Sequence, residues 1–226
     1  MKRLAFVIVL IAGLSGASFG QIEGNPENMC RNGFFPRDGE KHFVSWIVAK
    51  PRVRVYFYGD DDDCPEKGKC RKKSYLIKGD EIIVAREWGK WACVWYQPRK
   101  GSETVGWIPS ANIDKTPMVY GVGPSDWSGK WTSYENTIEI APTNEKDVFQ
   151  ITGTAFWKGL GDNIHIGELD AKATHSEGMI RYGAETEGEY ACRATLRLLP
   201  GYLVVSDNLN CGGANVSFSG VYRRKK

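Results

Sequence analysis

The sequence predicts an all-β protein built of two antiparallel units, and three observations carry that expectation. Short runs rich in Val, Ile, Thr, Tyr, Phe and Trp recur about every ten residues, bounded by Gly, Pro, Asp and Asn clusters. No stretch sustains a helical period. Glycine is plentiful, 26 of 226 residues, and there are 8 tryptophans, a composition that suits compact β domains with many turns.

Taken in order, the elements are these. Residues 1–20 read as a secretory signal peptide. Lys2 and Arg3 open it, "LAFVIVLIAGL" is too short to span a bilayer, and Ser18 and Gly20 supply the small residues expected at a cleavage site before Gln21. No later segment is apolar enough to cross a membrane, so the mature chain is expected in the periplasm or secreted. Residues 21–49 read as irregular, with Cys30 tying them to something downstream. In residues 50–115 the runs are "RVRVYFY", "YLI", "EIIVARE", "WACVWYQ" and "TVGWI"; residues 116–126, rich in Gly and Pro, read as a linker. Residues 127–226 hold "TIEIAP", "VFQITGTAFW", "IHIGELDAKA", "GMIRYGA", "YACRATLRLL", "YLVVSD" and "VSFSGVYRR". These form a meander of about seven or eight strands, in which "WSGKW" and "FSGVY" mark first and last strands able to pair and close a small barrel.

Charge and cysteine content narrow the function classes. The formal net charge is +3, and residues 50–115 carry 14 basic against 10 acidic groups. That balance argues against a nucleic-acid partner, which would call for a strong basic excess on one domain. Six cysteines in an exported chain read as disulfides. Pairing is most constrained near the C-terminus. With Pro200-Gly201 as the turn of a hairpin, Leu198 faces Leu203, Leu196 faces Val205, and Cys192 lies near Cys211; a Cys192–Cys211 bridge is expected. Cys30, Cys64, Cys70 and Cys93 are expected to be bridged as well, with their pairing open.

Within 50–115, "RVRVY", "YLIKGDEIIVAREWGKWACVWY" and "TVGWIPSANI" resemble a bacterial SH3-like (SH3b) domain. Gly79-Asp80 matches the turn that enters an alternating strand, Trp91, Cys93 and Trp95 share one face of the next, and Gly106-Trp107-Ile108 precedes a helical turn. The resemblance implies an SH3-like small barrel, followed here by the antiparallel β-meander or barrel-like unit. The C-terminal "DNLNCGGANVSFSGVYRR" resembles the ending of exported bacterial domains, some attached to proteins described as lysozyme-inhibitor-like.

"YGDDDDCPEKGKCRKK" then falls in the variable loop of the first unit. Four consecutive aspartates lack the alternating spacing of a calcium loop, and Cys64 and Cys70 offer only two of the roughly four ligands zinc needs. The expectation is a solvated acidic tip with no metal, stapled by a disulfide or joined to Cys30 and Cys93. No nucleophile motif stands out, and no cofactor is expected. His165, between Ile164 and Ile166, reads as an exposed strand histidine. What remains is aromatic: Trp88 at a turn and Tyr96 opposite Trp95, beside Arg86 and Arg99, are the candidate ligand-binding residues. The function expected is a non-enzymatic exported binding protein for a cell-wall (peptidoglycan) glycan or peptide, or for an envelope protein. The competing expectation is an inhibitor or immunity protein of a lysozyme-type hydrolase.

Overall fold

The computed structural model describes residues 28–35, 41–61, 63–116 and 123–225. The expected leader and residues 117–122 of the expected linker lie outside the described residues. All-β is the outcome: a six-stranded antiparallel sheet and an eight-stranded closed antiparallel barrel.

The sheet contains β1 (Phe43–Trp46), β2 (Val55–Tyr58), β3 (Arg71–Leu76), β4 (Glu81–Trp88), β5 (Trp91–Tyr96) and β6 (Thr104–Pro109), in the spatial order β1-β4-β5-β6-β2-β3. β1 lies in the stretch expected to be irregular. Its four residues are too few to show a period, yet they pair with β4 from Phe43↔Val84 to Trp46↔Glu81. After β6 a single 3-10 turn over Ser110–Asn112 leads to Ile113, which bridges to Ile47. The sheet therefore curls around a core of Ile47, Val55, Phe57, Leu76, Ile82, Val84, Val94, Ile108 and Ile113.

The barrel runs β7 (Gly129–Ser133), β8 (Asn136–Pro142), β9 (Val148–Lys158), β10 (Ile164–Ser176), β11 (Met179–Tyr182), β12 (Ala194–Leu199), β13 (Tyr202–Asp207) and β14 (Gly220–Arg224). Closure is by β14 on β7, through Arg223↔Thr132 and Arg224↔Trp131, the "FSGVY"-to-"WSGKW" pairing expected. The register of the β12–β13 hairpin is also as expected, Leu198 opposite Leu203 and Leu196 opposite Val205. Trp127, Trp131, Phe149, Phe218 and Tyr222 fill the interior, so this barrel is a packed core.

The loop between β13 and β14 folds in over one end of the barrel. Asp207 fastens it: its carboxylate accepts the Ser217 and Ser219 hydroxyls and the Phe218 N–H at 2.7–2.8 Å. Where the loop crosses β10, Gly167 and Gly212 meet backbone to backbone. A Cβ on Gly167 would lie 2.3 Å from the Cys211 carbonyl oxygen, which is why side chains are missing there. His165 is turned toward this loop and meets the Ala214 carbonyl through Nδ1, with its ring 5.1 Å from that of Trp157. It is half-buried, and the exposed positions are its isoleucine neighbours.

Three disulfides are present: Cys30–Cys93, Cys64–Cys70 and Cys192–Cys211. The bridge expected at the C-terminus forms, and the open set resolves into one short loop and one long-range link. Three bridges are typical of proteins outside the cytoplasm.

Candidate functional site

Four of the residues singled out by sequence do not share a surface. The bulge between Val84 and Arg86 shifts the alternation of β4, so Arg86 and Trp88 both lie on the Cys93 side of the sheet. There the Arg86 guanidinium sits 5.4 Å from the Trp107 ring and donates to the Met29 carbonyl, and Trp88 packs 6.0 Å from Trp107. Tyr96 is indeed opposite Trp95, but that face is itself covered. Its ring packs on the sheet's inner core and its hydroxyl donates to Asp80 Oδ1. Burial first, then the Asp80 charge, raises the Tyr96 pKa. Arg99 is exposed in the turn after β5. Framework contacts thus occupy three of the four, and the fourth stands apart.

The aspartate run also departs from expectation at its first residue. Asp60 is 5% exposed. Its Oδ2 accepts the Cys30 N–H at 2.8 Å and Arg31 Nε at 2.7 Å, while Oδ1 accepts Arg31 Nη2 at 2.9 Å. That hydrogen bond and the negative charge of Asp60 raise the Arg31 pKa against the opposing effect of desolvation. Asp61 and Asp63 are exposed as expected; Asp62 lies outside the described residues. Among the described residues no three His, Cys, Asp or Glu side chains gather as a metal set.

The most developed site lies at the seam between sheet and barrel. β5 and β13 are apolar at both parities, "WACVW" and "YLVV", because each is covered on both faces. One face of each lines its own unit's core. The other faces meet in a shared cluster that joins Trp95, Val105 and Trp107 to Tyr202, Val204 and Val221, with Cys30 and Phe35 alongside. Trp95 and Tyr202 pack edge-on at 5.6 Å, with Arg223 over both rings. The Tyr202 hydroxyl donates to Glu81 Oε1 across the seam at 2.6 Å; burial and this carboxylate push its pKa up to about 12.

Beside that pillar opens a cleft of about 370 Å³, to which the Asn32–Phe35 segment, the sheet and the barrel each contribute a wall. Trp95, Glu103, Ser133 and Tyr134 are its chemically distinctive lining residues. Trp95 Nε1 donates to Glu103 Oε2 at 2.6 Å, and the Tyr134 hydroxyl bonds the same carboxyl from the barrel side. Burial outweighs these two donors and raises the Glu103 pKa. Tyr134 tops the β7–β8 turn with 73% of its surface exposed and a left-handed backbone, φ 51°. A bulky residue held there costs about 1 kcal/mol that Gly or Asn would avoid. The cleft offers an exposed aromatic lid and a carboxyl fixed beneath it, with the buried Trp95 holding that carboxyl from behind. The sequence holds no local signal for it, since its walls come from four separate stretches, residues 32–35, 95–105, 133–136 and 219–221.

His42, at the far side of the seam, gives it a dependence on pH. The ring is 7% exposed, bonds the Phe35 carbonyl through Nε2, and lies edge-on to the Phe35 ring at 5.4 Å. Burial lowers its pKa to about 4, with Arg197 adding to the effect and the Phe35 carbonyl opposing it. The unfolded chain, with a histidine pKa near 6.5, therefore binds the extra proton first. Stability from neutral His42 is complete above about pH 6.5 and is lost as pH falls toward about 4. Urea midpoints for the wild type should drop across that window, and His42→Phe should flatten the drop; an identical pH profile for both would reject the assignment.

No family model, curated protein or solved structure matches the chain.

Proposed function

We propose that this is an exported, non-enzymatic binding protein that recognises a cell-wall glycan or peptide in the seam cleft. The observation that carries the reading is Tyr134: a strained, exposed aromatic at the cleft, whose hydroxyl is anchored to the Glu103 carboxyl that Trp95 also holds. Aromatic faces with a few fixed polar groups suit the alternating CH and OH surface of a sugar or the stem of a short peptide. The three disulfides support a location outside the cytoplasm, and the residues resembling an SH3b domain support a wall-directed ligand.

The test is co-sedimentation of the mature protein with purified peptidoglycan. Tyr134→Ala and Glu103→Gln should each weaken retention by about tenfold while leaving the urea midpoint nearly unchanged, since both side chains are partly solvated. Equal retention of wild type and both variants, or none at all, would reject the cleft as the binding site.

One observation favours the second reading, an inhibitor of a wall hydrolase. The β9–β10 hairpin ends in Leu160, 96% exposed, and its outer face shows Phe156, Ile164 and Ile166 to solvent. An apolar tip of this kind suits insertion into an enzyme groove. Capture of a hydrolase from envelope extract, abolished by Leu160→Asp and indifferent to Tyr134→Ala, would establish that reading over the first.

A further inference from the structure

Outside the lining of the cleft, β2 and β3 carry a basic and aromatic strip that none of the contacts above uses. Tyr56 and Tyr75 are directly paired across the two strands, with ring centroids 5.9 Å apart. Each ring bears a guanidinium: Arg54 lies 4.5 Å from the Tyr75 centroid, and Arg71 lies 4.6 Å from that of Tyr56. Tyr75 is 41% exposed, and Arg54, Arg71 and Lys73 are exposed. Arg54 also hydrogen-bonds the Tyr56 side chain; a guanidinium held on a ring loses rotamer freedom, and its remaining N–H groups stay turned outward to grip a carboxylate.

Among the described residues the ion pairs engage Arg31, Lys67, Lys90, Lys115, Lys172 and His175, and none engages Arg54, Arg71 or Lys73. The acidic run one loop away is itself occupied at two positions, Asp60 by Arg31 and Asp63 by Lys67.

The second feature is the backbone. β3 stands at the end of the strand order, with β2 as its one ladder neighbour among the described residues. Among the described residues no strand pairs with its other edge along these six residues. A row of Arg and Lys on such an edge repels most strands, and so guards against indiscriminate pairing. The same row favours a strand that carries carboxylates, which would meet the exposed Arg71 and Lys73.

We propose that the free edge of β3 takes an extended acidic polypeptide segment, added as a further strand with its carboxylates on Arg54, Arg71 and Lys73. This surface is separate from the seam cleft, and the proposal stands or falls independently of the cleft's ligand.

The experiment is titration of the mature protein with a synthetic peptide alternating Glu with Val and Thr, read by calorimetry and by hydrogen exchange. Parallel titrations use a peptide with Lys in place of Glu, and inorganic polyphosphate. The Glu peptide should bind, weaken steeply with added salt, and slow exchange of the amides in Arg71–Leu76 by about tenfold. The Lys peptide should not bind. Arg54→Gln with Arg71→Gln should reduce affinity at least about tenfold with the urea midpoint unchanged; Arg71→Lys, which keeps the charge and loses the fork, should fall between. Three results would overturn the proposal. One is polyphosphate binding as tightly as the Glu peptide while neither slows the β3 amides. Another is no Glu-peptide binding. The third is β3 protection that tracks protein concentration alone, which would make the occupant a second copy of this chain.

Discussion

Replacing Cys30 and Cys93 together by alanine should lower unfolding stability by about 4 kcal/mol, the largest single effect expected in the molecule. The bridge spans 63 residues, against 19 for Cys192–Cys211 and 6 for Cys64–Cys70. Chain entropy grows with the logarithm of loop length, so the same model gives about 3 and about 2 kcal/mol for the other two. Both sulfurs are buried in the seam cluster, and alanine would leave space there. The bridge also pins the segment that carries Asn28, whose carbonyl accepts Trp107 Nε1 at 2.6 Å and whose amide donates to the Cys64 carbonyl at 2.7 Å. Releasing it should loosen the Asn32–Phe35 wall of the cleft, so ligand retention should fall along with stability. Urea unfolding of the three double-alanine variants checks the order. If removal of Cys64 and Cys70 proved the most damaging, loop length would not be the controlling quantity.

Asp60→Ala should cost about 3 kcal/mol, while Asp61→Asn and Asp63→Asn should each stay within about 0.5 kcal/mol. The contrast within one acidic run is the point. Asp60 is the buried acceptor of three charge-assisted bonds, two from the Arg31 fork and one from the Cys30 N–H. Removing the carboxylate strands a backbone donor in the interior and leaves Arg31 to find water at its half-exposed edge. Asp60→Asn should recover little, because an amide presents a donor where the guanidinium needs an acceptor. Asp63 faces Lys67 with both side chains about two-thirds exposed, a pair that water and salt weaken. A double-mutant cycle of Asp60→Ala with Arg31→Ala should return a coupling of about 1.5–3 kcal/mol. A coupling near zero, or equal losses at positions 60 and 63, would show that the run is solvated throughout.

Local order was legible in the residues themselves. Pro200-Gly201 set the β12–β13 turn, and counting outward from it placed Leu198 on Leu203, Leu196 on Val205 and Cys192 beside Cys211. The matching "WSGKW" and "FSGVY" runs pointed to the β7–β14 closure. These succeed because a turn type and a period of two act over a few residues, and antiparallel neighbours inherit their register from the turn. β1 escaped because four residues give a period nothing to repeat.

The site was not legible in the same way. Period placed Trp95 on one face with Trp91 and Cys93, but it could not say that this outer face of β5 would meet the outer face of β13 at Tyr202. Runs apolar at both parities were the available signal that both faces would be covered; they do not name the cover. Asp60 looked like its neighbours, because its partner lies 29 residues earlier and is brought near by long-range contacts, the bridge at Cys30 and the Asn28 hydrogen bonds among them. Arg86 and Trp88 looked ligand-facing until the bulge at Val84/Arg86 turned them toward Trp107. From its sequence alone this chain determined strand content, the main turns and one disulfide, since each follows from forces between near neighbours. Which faces stay wet, which carboxylate is buried and where a cleft opens were decided by tertiary structure, because they depend on apolar area and charge brought together from distant parts of the chain.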